Sequence, residues 1–72
     1  MLRKFVAAVR DQQKREGLSQ TKLAKKIGVS DAGLSRIYAG KRKPSVEFIC
    51  GVIRAWPDLF EILRQSLLED LR

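Results

Sequence analysis

Seventy-two residues with fifteen Lys or Arg against eight Asp or Glu, a net charge of +7, no histidine and one cysteine narrow the possibilities from the outset. A chain this short forms one domain and buries only ~60% of the surface its unfolded form exposes, so a second copy would add useful apolar burial. Cys50 alone makes no internal disulfide, the residue set offers no zinc site, and no apolar run approaches the ~20 residues of a membrane span.

The first segment carries Leu2, Phe5, Val6 and Val9 at i, i+3, i+4 and i+7. That spacing predicts an amphipathic helix from Leu2 to about Arg15. Gly17 suits its left-handed cap, and Leu18 is expected to tuck inward. Ser19 is a good N-cap for a second helix, Gln20 to Lys26, with Leu23, Ala24 and Ile27 inside. Gly28 supplies a sharp turn and Val29 an apolar plug. Ser30 caps a third helix, Asp31 to Ala39, with Leu34, Ile37 and Tyr38 as inner candidates. Gly33 costs this helix ~1 kcal/mol relative to alanine, which points to a close approach, favoured here as helix packing.

Gly40 stops the third helix, and Lys41-Arg42-Lys43-Pro44 is a basic loop. Ser45 caps a fourth helix, Val46 to Trp56, expected to turn Val46, Ile49, Cys50 and Ile53 inward. Cys50 and Trp56 are both read as core, with Trp56 closing the gap to the fifth helix. Pro57 opens that helix at its preferred first position, beside Asp58. Its apolar residues Ile62, Leu63, Leu67, Leu68 and Leu71 span a face too wide for one inward stripe. Residues 57–72 are therefore the expected dimerisation helix, with Phe60, Leu63, Leu67 and Leu71 as its interface. The fold class is all-α, five helices, with short connections.

The charge is unevenly placed. Residues 1–56 hold thirteen Lys or Arg against four Asp or Glu, whereas residues 57–72 hold two against four. A basic body favours a polyanion, because counterions released from nucleic acid drive binding. The three-residue break Gly28-Val29-Ser30 forces two short helices to cross steeply, so one braces while the other projects. The projecting helix carries small and polar outward residues and is followed by the basic loop, which fits the major groove of DNA.

At Gln20, Leu23-Ala24, Gly28-Val29-Ser30, Leu34-Ser35, Ile37, Gly40 and Pro44-Ser45 the chain resembles the lambda-repressor-like helix-turn-helix domains, the family of the Cro and CI repressors. The resemblance covers about residues 2 to 56. It implies that the second and third helices form the reading unit, within a five-helix bundle. It further implies that Gln20 bonds a phosphate and braces the start of the third helix. Asp31, Ala32, Ser35 and Arg36 match positions that meet base edges, and Lys41, Arg42 and Lys43 match the segment that grips the backbone. Tyr38 departs from the pattern, since many members have an acidic residue there.

Among these, Arg36 is the foremost candidate for direct readout, because a guanidinium can bond guanine O6 and N7 together. Asp31 could accept from cytosine, but capping its own helix is the favoured reading. Ser30 at the turn and Lys22 near the start of the second helix complete the candidate DNA-binding set. Arg3, Lys4 and Arg10 are read as solubility charges.

No pairing of carboxylates and no glycine-rich phosphate loop suggests catalysis, and no cofactor or metal is expected. The expected function is a cytoplasmic, sequence-specific regulator, a Cro/CI-like repressor in a bacterial cell or phage-infected host. It would bind a near-palindromic operator in double-stranded DNA as a homodimer. The alternative is an antitoxin, which binds a toxin protein as well as its own operator.

Overall fold

The structure, a computed structural model, describes residues 1–72. Five α-helices follow one another without a strand: α1 (Arg3–Arg15), α2 (Gln20–Ile27), α3 (Asp31–Tyr38), α4 (Val46–Ala55) and α5 (Phe60–Asp70). Pro57–Leu59 forms one 3-10 turn that leads into α5, in place of the single longer helix expected from Pro57.

The three inner helices start by the same device. Ser19, Ser30 and Ser45 hold extended backbone, and each hydroxyl accepts from the backbone N–H three residues on, at Lys22, Gly33 and Phe48. Each such cap contributes about 1 kcal/mol. At the far end of α2, Gly28 takes φ +81°, a region that side chains avoid. Its N–H returns to the Ala24 carbonyl, and so does that of Val29, which closes the helix tightly. The turn into α3 is then only three residues long.

Twelve buried apolar residues form one core: Leu2, Phe5 and Val9 of α1, Leu23, Ala24 and Ile27 of α2, Leu34 and Ile37 of α3, Phe48 and Val52 of α4, and Leu59 and Leu63 beyond. Phe5 and Phe48 meet edge to face at its centre, ring centroids 6.1 Å apart. That geometry sets the positive edge of one ring against the negative face of the other.

The start of α1 is held from the other end of the chain. No side chain in its own first turn caps it and no acidic residue lies there. Instead the Leu2 N–H donates to the Asp70 carboxylate at 2.7 Å, and Lys4 pairs with Glu69 at 2.6 Å. These two carboxylates of α5 stand at the positive end of the α1 dipole, a favourable place for negative charge. Leu2 itself sits at φ +54°. That conformation costs a leucine ~1–2 kcal/mol. Full burial of its side chain returns ~2 kcal/mol or more, so the strained turn persists.

α4 overturns the expected register. Its buried residues are Phe48, Gly51 and Val52. Val46 is 73% exposed. Cys50 is exposed and is not a core residue. Ile49 and Ile53 only flank the core. The reason lies at Gly51. A β-carbon built there would stand 1.9 Å from the Ile27 carbonyl oxygen, so bare backbone of α4 rests on the last turn of α2. Trp56 is likewise half-buried rather than enclosed between α4 and α5. Its indole N–H donates to Glu16, and Lys26 lies over its ring at 5.7 Å.

Gly51→Ala should separate α4 from α2 and destabilise the fold by about 3 kcal/mol, the upper range for overpacking. Cys50→Ala, one residue away on the exposed side, should change stability by less than ~0.5 kcal/mol. Urea denaturation of both variants checks the register of α4.

Candidate nucleic-acid interface

α3 presents a polar arc. Asp31, Ala32, Ser35 and Arg36 are exposed, while Gly33, Leu34 and Ile37 are buried beneath them. Two capped starts and the tight Gly28 closure hold this arc at a fixed angle to α2. Leu23, Ala24 and Ile27 on one side and Leu34 and Ile37 on the other share the core below it.

One flank of the arc is braced by polar contacts across the turn. The Gln20 amide donates to Asp31 at 3.2 Å, and the Thr21 hydroxyl donates to its other carboxylate oxygen at 2.8 Å. Both oxygens of Asp31 thus tie the first turn of α2 to the first turn of α3. Asp31 therefore braces α2 against α3 rather than capping its own helix, a role that Ser30 fills. Gln20 keeps its carbonyl oxygen free of these bonds. Thr21 was not among the sequence candidates. Its signal, a hydroxyl beside a candidate bracing residue, was too common to single out.

The opposite flank holds Arg42. A β-carbon at Gly33 would lie 2.9 Å from the Ser30 hydroxyl and 3.7 Å from the Arg42 guanidinium. The close approach at Gly33 is therefore made by its own cap and by the basic loop, and not by α2 as expected. Lys41 and Lys43 are exposed on either side of Arg42. Lys22 is exposed in the first turn of α2. Neither Lys22, Arg36 nor any of the three loop cations takes part in an ion pair.

The far end of α3 is joined to α1. The Tyr38 hydroxyl donates to the Gln13 side-chain oxygen at 2.8 Å, and Gln13 in turn donates to the Leu18 carbonyl at 3.1 Å. Arg10 lies over the tyrosine ring, 4.8 Å from its centroid. Burial pushes the Tyr38 phenol up to about 12, and the nearby Arg10 charge only partly opposes this. The neutral phenol leaves this edge of the interface without a negative charge.

The helix-turn-helix family model matches residues 10–55, almost two thirds of the chain. The chain belongs to the lambda-repressor-like helix-turn-helix family. It is a DNA-binding regulator of that family, with the all-helical fold its members share. The match spans α2, α3, the basic loop and α4, and it stops before α5. A search of curated proteins and of solved structures returns no match. No helix is long and apolar enough to cross a membrane.

Tyr38 is the chain's one tyrosine, so its titration can be read by ultraviolet absorbance without overlap from another phenol. The folded chain should titrate near 12, and the chain in concentrated guanidinium near ~10. Because the folded state holds this proton more tightly, its contribution to stability is complete below pH ~10 and is lost as pH rises toward 12. Tyr38→Phe should remove that component of the alkaline destabilisation.

Proposed function

We propose that this helix-turn-helix protein is a repressor that binds a near-palindromic operator as a homodimer and blocks transcription sterically. The observation that carries this reading is the unengaged arc of α3. Ala32, Ser35 and Arg36 are exposed, have no internal side-chain partner, and stand on a braced reading unit beside three free cations. Nothing in the fold of the monomer requires an arginine at position 36. In the groove it is suited to guanine O6 and N7, and Ala32 to close approach at a thymine methyl. Ser35 can donate to a base or a phosphate. Gln20, Ser30, Lys22 and the loop Lys41–Lys43 serve the backbone, which fixes orientation without reading sequence.

The dimer would form through α5. Phe60, Leu67, Leu68 and Leu71 are exposed there, and Leu71 is 81% exposed. Phe60, Leu67 and Leu71 recur at helical spacing, so they line one stripe. Leu63 is corrected out of the expected interface. It is 6% exposed and belongs to the core of the monomer. A symmetric pair through this stripe would set two α3 helices on one side of DNA, at half-sites about one turn, ~34 Å, apart.

Substitutions at the two kinds of position should differ in kind. Arg36→Ala should cost ~1–3 kcal/mol on the operator and relax one base position. Lys41→Ala should weaken binding to every sequence alike and lower the salt slope by about one. Operator selection from a random duplex pool, followed by titration at several salt concentrations, checks both. If Arg36→Ala lost affinity equally for all competitors, readout by Arg36 would be refuted.

Leu67→Glu with Leu71→Glu should give a folded monomer with poor operator affinity and residual non-specific binding. Sedimentation, circular dichroism and operator titration read the three parts. A wild-type chain that is monomeric at high micromolar concentration would remove the dimer from the mechanism. A chain that pairs through this stripe only with an unlike protein would select the antitoxin reading instead.

A further inference from the structure

A groove of about 610 Å³ runs between α1 and the loop that joins α3 to α4. Arg3, Ala7 and Arg10 form its α1 wall, Tyr38 lies at its base, and Lys41 to Lys43 form the opposite wall. Five cations face this groove and no carboxylate lines it. Its second wall is the basic loop that already flanks α3, so the groove continues from the reading surface.

The two arginines of α1 are poorly explained by folding. Arg3 is the first residue of the helix, where positive charge opposes the dipole. Its neighbour Lys4 is compensated by Glu69, but Arg3 has no ion pair or side-chain hydrogen bond. Arg10 is stacked on Tyr38, which holds the guanidinium plane while leaving its N–H donors without a protein acceptor. Arg3, Ala7 and Arg10 fall at i, i+4 and i+7, one face of the helix, and the small residue between the two arginines leaves that wall unobstructed. Seven residues of helix span ~10 Å. A DNA strand presents a phosphate every ~3.4 Å of axis, so this wall is long enough to meet more than one.

We propose that this groove seats the sugar–phosphate backbone of duplex DNA beyond the base pairs faced by α3, with Arg3 and Arg10 as phosphate contacts. The proposal rests on the DNA-binding reading above and extends its footprint from α3 and the loop to α1. The two arginines are then part of the binding surface rather than the solubility charges expected from sequence.

The test uses the full chain and a random-sequence duplex of thirty base pairs, titrated over a series of salt concentrations. Arg3→Gln and Arg10→Gln should each lower the slope of log affinity against log salt by about 0.9, and the double variant by about twice that. Arg3→Gln should leave the thermal melt unchanged or raise it, since it removes a charge opposed to the dipole. If Arg10→Gln unfolds the chain by losing its stack on Tyr38, Arg3→Gln alone decides the question. Two folded variants with the wild-type slope, beside a Lys41→Gln control whose slope falls, would overturn the α1 contacts while leaving the DNA reading intact. A wild-type chain with no salt-dependent duplex binding would overturn both. Polyglutamate that binds wild type and loses binding to the variants, while their duplex slope is unchanged, would assign the groove to an acidic protein and overturn the proposal.

Discussion

Ile27 ends α2, and its carbonyl meets the bare backbone of Gly51. That contact brings α4 directly onto the last turn of α2, closer than any side chain would permit. Phe48 and Val52, one turn apart on α4, are thereby driven into the core, where Phe48 meets Phe5 of α1. The same last turn of α2 carries Gly28, whose positive φ launches the chain into α3. The direction in which α3 projects is therefore referred, through one short turn, to a place where two helices have no freedom to slide.

Rigidity at the reading surface also has a polar component. Asp31 draws on two donors of α2, and the Tyr38 hydroxyl donates a hydrogen bond to Gln13 of α1, so α3 is fastened at both ends. Between these points lie the residues with nothing to bind inside the protein. A side chain held on a fastened helix loses less freedom when it meets a base, which lowers the entropic cost of recognition. The charges are distributed in the same sense. The carboxylate in the arc is occupied by neutral donors, and the cations beside it remain available.

Helix boundaries and the break between α2 and α3 were legible because local chemistry sets them. Serine before each inner helix, and glycine after α2 and α3, act on their own backbone within four residues. The turn of α4 about its own axis was not legible by the same means. Val46, Phe48, Ile49, Cys50, Val52 and Ile53 place apolar side chains around most of that helix, so periodicity admits more than one inner face. Gly51 decided among them, through a contact with a residue twenty-four positions earlier. The same limit applies to the interface. Arg36 and the loop cations could be found from their position after a recognisable turn, whereas the Gln13–Tyr38 bond and the groove wall of Arg3 and Arg10 depend on how α1 packs. The excess apolar surface of α5 was evident, but the assignment of Leu63 to the core required its actual orientation.

The serine caps bear on the order in which the chain acquires its shape. Each needs only three residues of sequence, so α2, α3 and α4 carry start signals that operate before distant parts have met. Contacts of short sequence separation form fast, because little chain entropy is lost in closing them. The bond from Leu2 to Asp70 spans sixty-eight residues and has the opposite character. Its closure brings together residues far apart in the chain and costs more loop entropy than a cap three residues long. The start signals of the α2–α3 reading unit thus belong to the local contacts of the chain. The clasp between α1 and α5 is instead a long-range contact, and it joins the first and last helices over the one core they share.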